Sequence, residues 1–106
     1  MATFTADVLT QIQLANAKGD IYNPGVKAQV HTILLHNINS SAEDVEIFHH
    51  DGSLELRYWK VNLVANETLL LTYPGPGYPI NASSKITGNA DTASKVTCSV
   101  IGSLVT

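Results

Sequence analysis

A chain of 106 residues, with six Lys and Arg against nine Asp and Glu, carries a formal charge of −3, and 44% of it is hydrophobic. Such a length encloses one core, six scattered cations exclude the basic patch that phosphate backbones require, and no apolar run approaches the ~20 residues of a membrane-spanning helix. Only 14% is charged, against about 25% in ordinary soluble domains. Ser, Thr and Asn take those places and make a skin that repels neighbours weakly, fit for packing against copies of itself or a larger surface.

The first twenty residues hold no basic stretch followed by an apolar one, so no secretory leader is expected, and synthesis and folding in a cytoplasm are. Val8, Ile12 and Leu14 predict a first strand, with helix as the competing assignment. Ile21-Tyr22 is a short extended piece, stopped by the turn Asn23-Pro24-Gly25. Residues 26–36 read as a long strand and Val45-Glu46-Ile47-Phe48 as the next, and Asp51-Gly52 is the strongest hairpin signal. Leu54, Leu56 and Tyr58 alternate with Glu55 and Arg57, whereas Trp59, Val61 and Leu63 alternate on the other parity. That slip of phase predicts a bulge or a break between Tyr58 and Trp59.

Thr68-Leu69-Leu70-Leu71 is apolar on both faces and predicts a central strand. Residues 73–79, Tyr-Pro-Gly-Pro-Gly-Tyr-Pro, are excluded from a strand interior by their prolines and predict a stiff surface loop. Lys85-Ile86-Thr87 and residues 95–101 give the last two strands, the second extended by Gly102 onward. Cys98, the single cysteine, falls in phase with Val96 and Val100 as a small buried hydrophobe. Seven to eight strands at short spacing define one all-β domain over residues 1–106. The expected architecture is a two-layer antiparallel β-sandwich, jelly-roll or Ig-like, with residues 1–10 as an N-terminal arm.

Residues with chemistry are few and badly placed for it. His49 and His50 are adjacent on a strand and face opposite ways, and His31 and His36 differ in parity, so no pair shares a metal ion. No serine sits in a nucleophile turn, no glycine-rich phosphate loop occurs, and Glu43-Asp44 reads as the solvated part of a turn. No enzyme activity, metal or cofactor is expected. Tyr58, Trp59, Tyr73 and Tyr78 fit a sugar platform or a protein contact, the latter preferred. Alternation admits only one of Tyr58 and Trp59 to the core, and the loop tyrosines are expected outside it.

The order of short motifs resembles small β-sandwich virion proteins of tailed bacteriophages. The resemblance runs from about residue 20 onward, through Ile21-Tyr22-Asn23-Pro24-Gly25, a strand ending in Leu35-His36-Asn37, Val45-Glu46-Ile47 before Asp51-Gly52, and Lys85-Ile86-Thr87-Gly88-Asn89-Ala90 ahead of Lys95-Val96-Thr97. Where that family has Ala-Gly-Glu-Thr-Leu, this chain has Ala65-Asn66-Glu67-Thr68-Leu69, and Asn is the best replacement for Gly at a left-handed position. The resemblance implies a homo-oligomer, a trimer favoured, bound to the major capsid protein or other virion proteins as a decoration or cement protein. A tail adaptor, baseplate or fibre component is the alternative, and a carbohydrate-binding module the reading from outside that class. The family pattern carries no catalytic residues. Expected contact residues are Thr3, Phe4, Tyr73, Pro74, Pro76, Tyr78, Leu104 and Val105, with no nucleic-acid or membrane partner.

Overall fold

The computed structural model describes residues 4–75 and 77–105, the first four of them as backbone only. Thr3 and Pro76, and the side chain of Phe4, therefore lie outside the described residues. Among the described residues nine strands form and no helix: β1 (Phe4–Gln13), β2 (Gly19–Tyr22), β3 (Ala28–Asn37), β4 (Glu43–His50), β5 (Glu55–Leu63), β6 (Thr68–Thr72), β7 (Tyr78–Ile80), β8 (Lys85–Ala90) and β9 (Val96–Val105). The helical alternative for the first segment is overturned. Its β-branched Thr5, Val8, Thr10 and Ile12 suit a pleated surface, and it pairs with β9 from Phe4↔Val105 to Gln13↔Thr97. Residues 4–10, read from the sequence as an arm, are thus the first part of an edge strand.

The larger sheet runs β1-β9-β3-β6, with β7 also on β3, and the smaller runs β2-β8-β4-β5. Pairing is antiparallel and nested: β1 with β9, β2 with β8, β3 with β6 and β7, β4 with β5. That nesting, rolled across two layers, is a jelly roll rather than an immunoglobulin arrangement. β6 lies against Thr32–His36 and β7 against Ala28–Val30, end to end along one side of β3. The nine strands therefore fill eight strand positions. β7 corrects the loop expectation, because Pro79 does sit in a strand. It is tolerated there because the strand is three residues long and at the edge, where a missing donor breaks no ladder.

β6 corrects another expectation. It is an edge strand, and its apolar second face is exposed, Leu70 to 58%. The predicted bulge is present, since Ile47 pairs with Trp59 and Phe48 with Arg57, leaving Tyr58 as the extra residue. Two further bulges flank β9 at Ile101, one at Leu9 of β1 and one at His31 of β3. Between the sheets Val30, Ile33, Leu35, Val45, Ile47, Leu63, Ile86, Val96, Cys98 and Val100 are fully buried. Asn66 takes φ 63°, the left-handed turn its replacement of Gly required, and the Glu67 N–H closes the turn on the Val64 carbonyl at 3.1 Å.

One end of the sandwich is pinned by buried polar groups. Glu43, expected in a solvated turn, opens β4 with 2% exposure. It accepts the Thr92 N–H at 2.8 Å, the Thr92 hydroxyl at 2.9 Å and the Asn39 amide at 3.1 Å. Burial works against the ionised carboxyl, but these donors outweigh it and hold it below the ordinary glutamate range. A carboxyl whose folded value is depressed adds stability above its unfolded value, and that stability is lost as pH falls through the folded one. Acid titration of stability should therefore show a loss below the ordinary glutamate range that Glu43→Gln makes smaller. An equal acid loss in the variant would show that the network does not hold the charged form.

Candidate functional site

The two sheets divide the chain's charge unequally. Asp7 is the one charged residue within the five strands of the larger sheet, while Asp20, Glu43, Asp44, Glu46, Glu55, Arg57, Lys60 and Lys85 lie in the four strands of the smaller one. The smaller sheet's outer face is laced with ion pairs: Glu46 with Arg57 at 3.0 Å, Asp20 with Lys85 at 3.0 Å, and Glu55 with Lys18. The cation in each pair holds the pKa of its carboxyl below the ordinary carboxylate range, chiefly through the hydrogen bond between them. Lys18 also lies over the Phe48 ring, 4.5 Å from its centroid. Covering this face would strip water from several charges, which costs more than exposed pairs return.

The opposite outer face is built from Thr, Ser, Gln and aliphatic side chains, with Leu34 beside Leu70 and Thr32 beside Thr72 and Ile101. Its polar atoms are largely bonded to one another across strands. His36 meets the Thr68 hydroxyl at 2.7 Å, His31 meets that of Ser103 at 3.3 Å, and the Gln11 amide donates to Ser99 at 3.3 Å. A face that is uncharged and internally hydrogen-bonded loses water at small cost. His31 and His36 both lie here, against the parity expectation, because the bulge at His31 shifts the strand's phase by one residue.

A second feature closes the side of the sandwich between β5 and β6–β7. His49, 5% exposed, points inward and is surrounded by four aromatic rings. Centroid distances are 4.0 Å to Tyr58, 4.3 Å to Tyr78, 5.7 Å to Tyr73 and 6.0 Å to Trp59. Its Nε2 lies 2.5 Å from the Tyr73 hydroxyl, whereas its buried Nδ1 has no hydrogen-bond partner. His50 faces outward as expected and accepts the Gly52 N–H at 3.0 Å.

One expectation is corrected here. Tyr73 and Tyr78, expected outside the core, are half-buried and pack against it. Of Tyr58 and Trp59 only Trp59 packs against the core, as expected, while Tyr58 is 48% exposed; the bulge nevertheless lets both rings reach His49. The rings are tilted by 38° to 85° against one another, so they stack on each other and offer no common plane to a flat sugar face. Leu54, Leu56 and Tyr58, each about half exposed, border this seam.

The remaining sequence-selected residues fall elsewhere. Pro74 is exposed in the β6–β7 loop. Leu104 packs on the core, and Val105 pairs with Phe4 and lines a groove of about 230 Å³ with Lys27, Gln29, Pro79 and Asn81. Phe4, Leu104 and Val105 thus share one end of the larger sheet, and Tyr73 and Tyr78 belong to the aromatic seam. Among the described residues no three His, Cys, Asp or Glu side chains gather as metal ligands would.

Fold and surface together define a jelly-roll sandwich with one charged face and one that carries no Asp, Glu, Lys or Arg among the described side chains. Comparison with protein-family models, curated proteins and solved structures returned no match.

Proposed function

We propose that the protein is a structural component of a bacteriophage particle, a capsid decoration or cement protein that lies on neighbouring virion subunits through the outer face of its larger sheet. The supporting observation is the partition of charge, which leaves one face hydrated and the other suited to dry contact. The order of motifs supports the phage assignment, and the jelly roll is an architecture shared by viral capsid and lectin domains, though fold alone assigns neither role. Contacts modest in each copy add up over a lattice of many copies.

Quantitative mass spectrometry of particles from the native source tests this. Copy numbers comparable to those of the major capsid protein support decoration, a few or a few dozen move the protein to the tail, and absence from the particle refutes the reading. Leu70→Glu places an unpaired charge on the uncharged face at an exposed position, and should lower occupancy about tenfold or more with the fold intact. Lys60→Glu, on the opposite sheet, should leave occupancy unchanged. Equal occupancy for both variants would show that the larger sheet's face is not the one that docks.

A further inference from the structure

We propose that His49 is an acid-operated latch on the seam between β5 and the β6–β7 segment: when the imidazole gains a proton it leaves its ring of aromatic neighbours, and Tyr73 and Tyr78 part from β5. This goes beyond the virion reading and does not depend on it.

The neutral ring is well held. It fills the space among Tyr58, Trp59, Tyr73 and Tyr78, and one nitrogen shares a hydrogen bond with the Tyr73 hydroxyl. The charged ring is not. An imidazolium has two N–H donors, and here one meets the Tyr73 oxygen while the other, on Nδ1, meets nothing in a buried position. Aromatic faces attract a cation and return part of the cost, but an anion is what a buried charge needs.

No anion faces it. The titratable groups around His49 are the phenols of Tyr58 on β5, Tyr73 after β6 and Tyr78 on β7, with the Cys98 thiol of β9 acting on Tyr73. Burial, then the neighbouring Tyr58 phenol, push Tyr78 up to about 12. Burial alone pushes Cys98 up to about 12, and Tyr73 is raised further. Tyr73, Tyr78 and Cys98 therefore remain neutral when His49 titrates. Asp51 reaches Tyr78 electrostatically, but its carboxylate is engaged by the N–H groups of Ser53 at 3.0 Å and Leu54 at 2.8 Å. His50 points to the other side of β4. Burial pushes the His49 imidazole down to about 4.

The seam is also lightly built. β7 is three residues long, and Gly75 and Gly77 carry the segment before it through positive φ. Tyr58, which covers the imidazole most closely, is itself 48% exposed. Release of His49 can therefore proceed by parting the seam while the buried strands β3, β4, β8 and β9 stay paired.

Trp59 is the only tryptophan, and its ring lies 6.0 Å from the imidazole, so its fluorescence reports on the seam. The full chain is titrated downward from neutral pH while Trp59 emission and far-ultraviolet circular dichroism are followed together. The emission is expected to shift to longer wavelength as pH falls from the ordinary histidine range toward about 4, before the β-sheet signal changes, and the shift should be missing from both His49→Phe and His49→Gln. If one variant does not fold, the other serves. The proposal fails if Trp59 emission stays flat until the sheet signal collapses, if the two signals move together, or if a folded variant keeps the wild-type transition. Abolition of the transition by Glu43→Gln instead would assign it to the opposite end of the sandwich and equally overturn the latch.

Discussion

Replacing Gly102 by alanine is expected to remove about 3 kcal/mol or more of folding stability, a large part of the ~5–15 kcal/mol that holds such a domain. Gly102 lies mid-strand in β9, opposite Val30 on one side and Asp7 on the other. A Cβ there would fall inside the van der Waals shell of the Gln29 carbonyl oxygen, and would stand 3.0 Å from both the Gln29 carbonyl carbon and the Val30 Cα. These are backbone atoms of the neighbouring strand, so no rotamer change relieves the overlap. The bulges at Leu9 and His31 on either side of β9 draw the three strands together at this level. Urea titration should show a lower midpoint with an unchanged slope. Gly25→Ala is the comparison: its φ is +68° and no atom stands within 4 Å of the added carbon. It should cost only about 1–2 kcal/mol, for handedness alone. Equal costs for the two would mean that the approach of β3 to β9 is looser than described.

Asn37→Ala is the second large effect, expected at about 3–4 kcal/mol from the hydrogen bonds lost and the buried groups left without partners. Asn37 is fully buried at the end of β3. Its amide donates to the carbonyls of Ser41 at 3.0 Å, Leu63 at 3.0 Å and Val64 at 3.2 Å, and its Oδ1 accepts the Asn39 N–H at 2.9 Å. One side chain thus ties the β3–β4 connection to the β5–β6 turn. Alanine leaves three acceptors and a donor to be hydrated in a place with little access to water. Asn37→Asp sharpens the test, because a carboxylate would face three carbonyl oxygens. It should be at least as harmful at neutral pH and should recover in part when protonated. A loss below about 1 kcal/mol for Asn37→Ala would mean that water replaces the amide at small cost.

Most of the architecture could be read from local pattern, and the failures share a cause. The phase slip at Tyr58 located a bulge because parity is a property of neighbouring residues, and the Gly-to-Asn exchange at position 66 located a left-handed turn for the same reason. Parity arguments failed where a bulge was not signalled in advance. His31 stands in an unbroken run of strand-forming residues, and its displacement arises from the approach of β9, sixty residues and more away in sequence. Likewise the inward turn of Tyr73 and Tyr78 depends on β4 presenting His49 across the gap, which no local motif records. The division of charge between the faces lies in the sequence residue by residue, but it becomes visible only once each strand is assigned to its sheet. Glu43 was misread because a carboxylate beside Asp44 in a polar stretch looks solvated until Thr92, brought in from the β8–β9 connection, is placed against it.

The partnership of β1 and β3 with β9 also governs when the molecule can take shape. A nascent chain that has not yet extruded Val96–Val105 has nothing to lie between β1 and β3, so more than half of the larger sheet's ladder must wait for β9 to clear the ribosome. Until then β3 offers a bare side of ten residues to whatever it meets. Slow emergence of β9 should therefore lengthen the interval in which holdase chaperones are engaged.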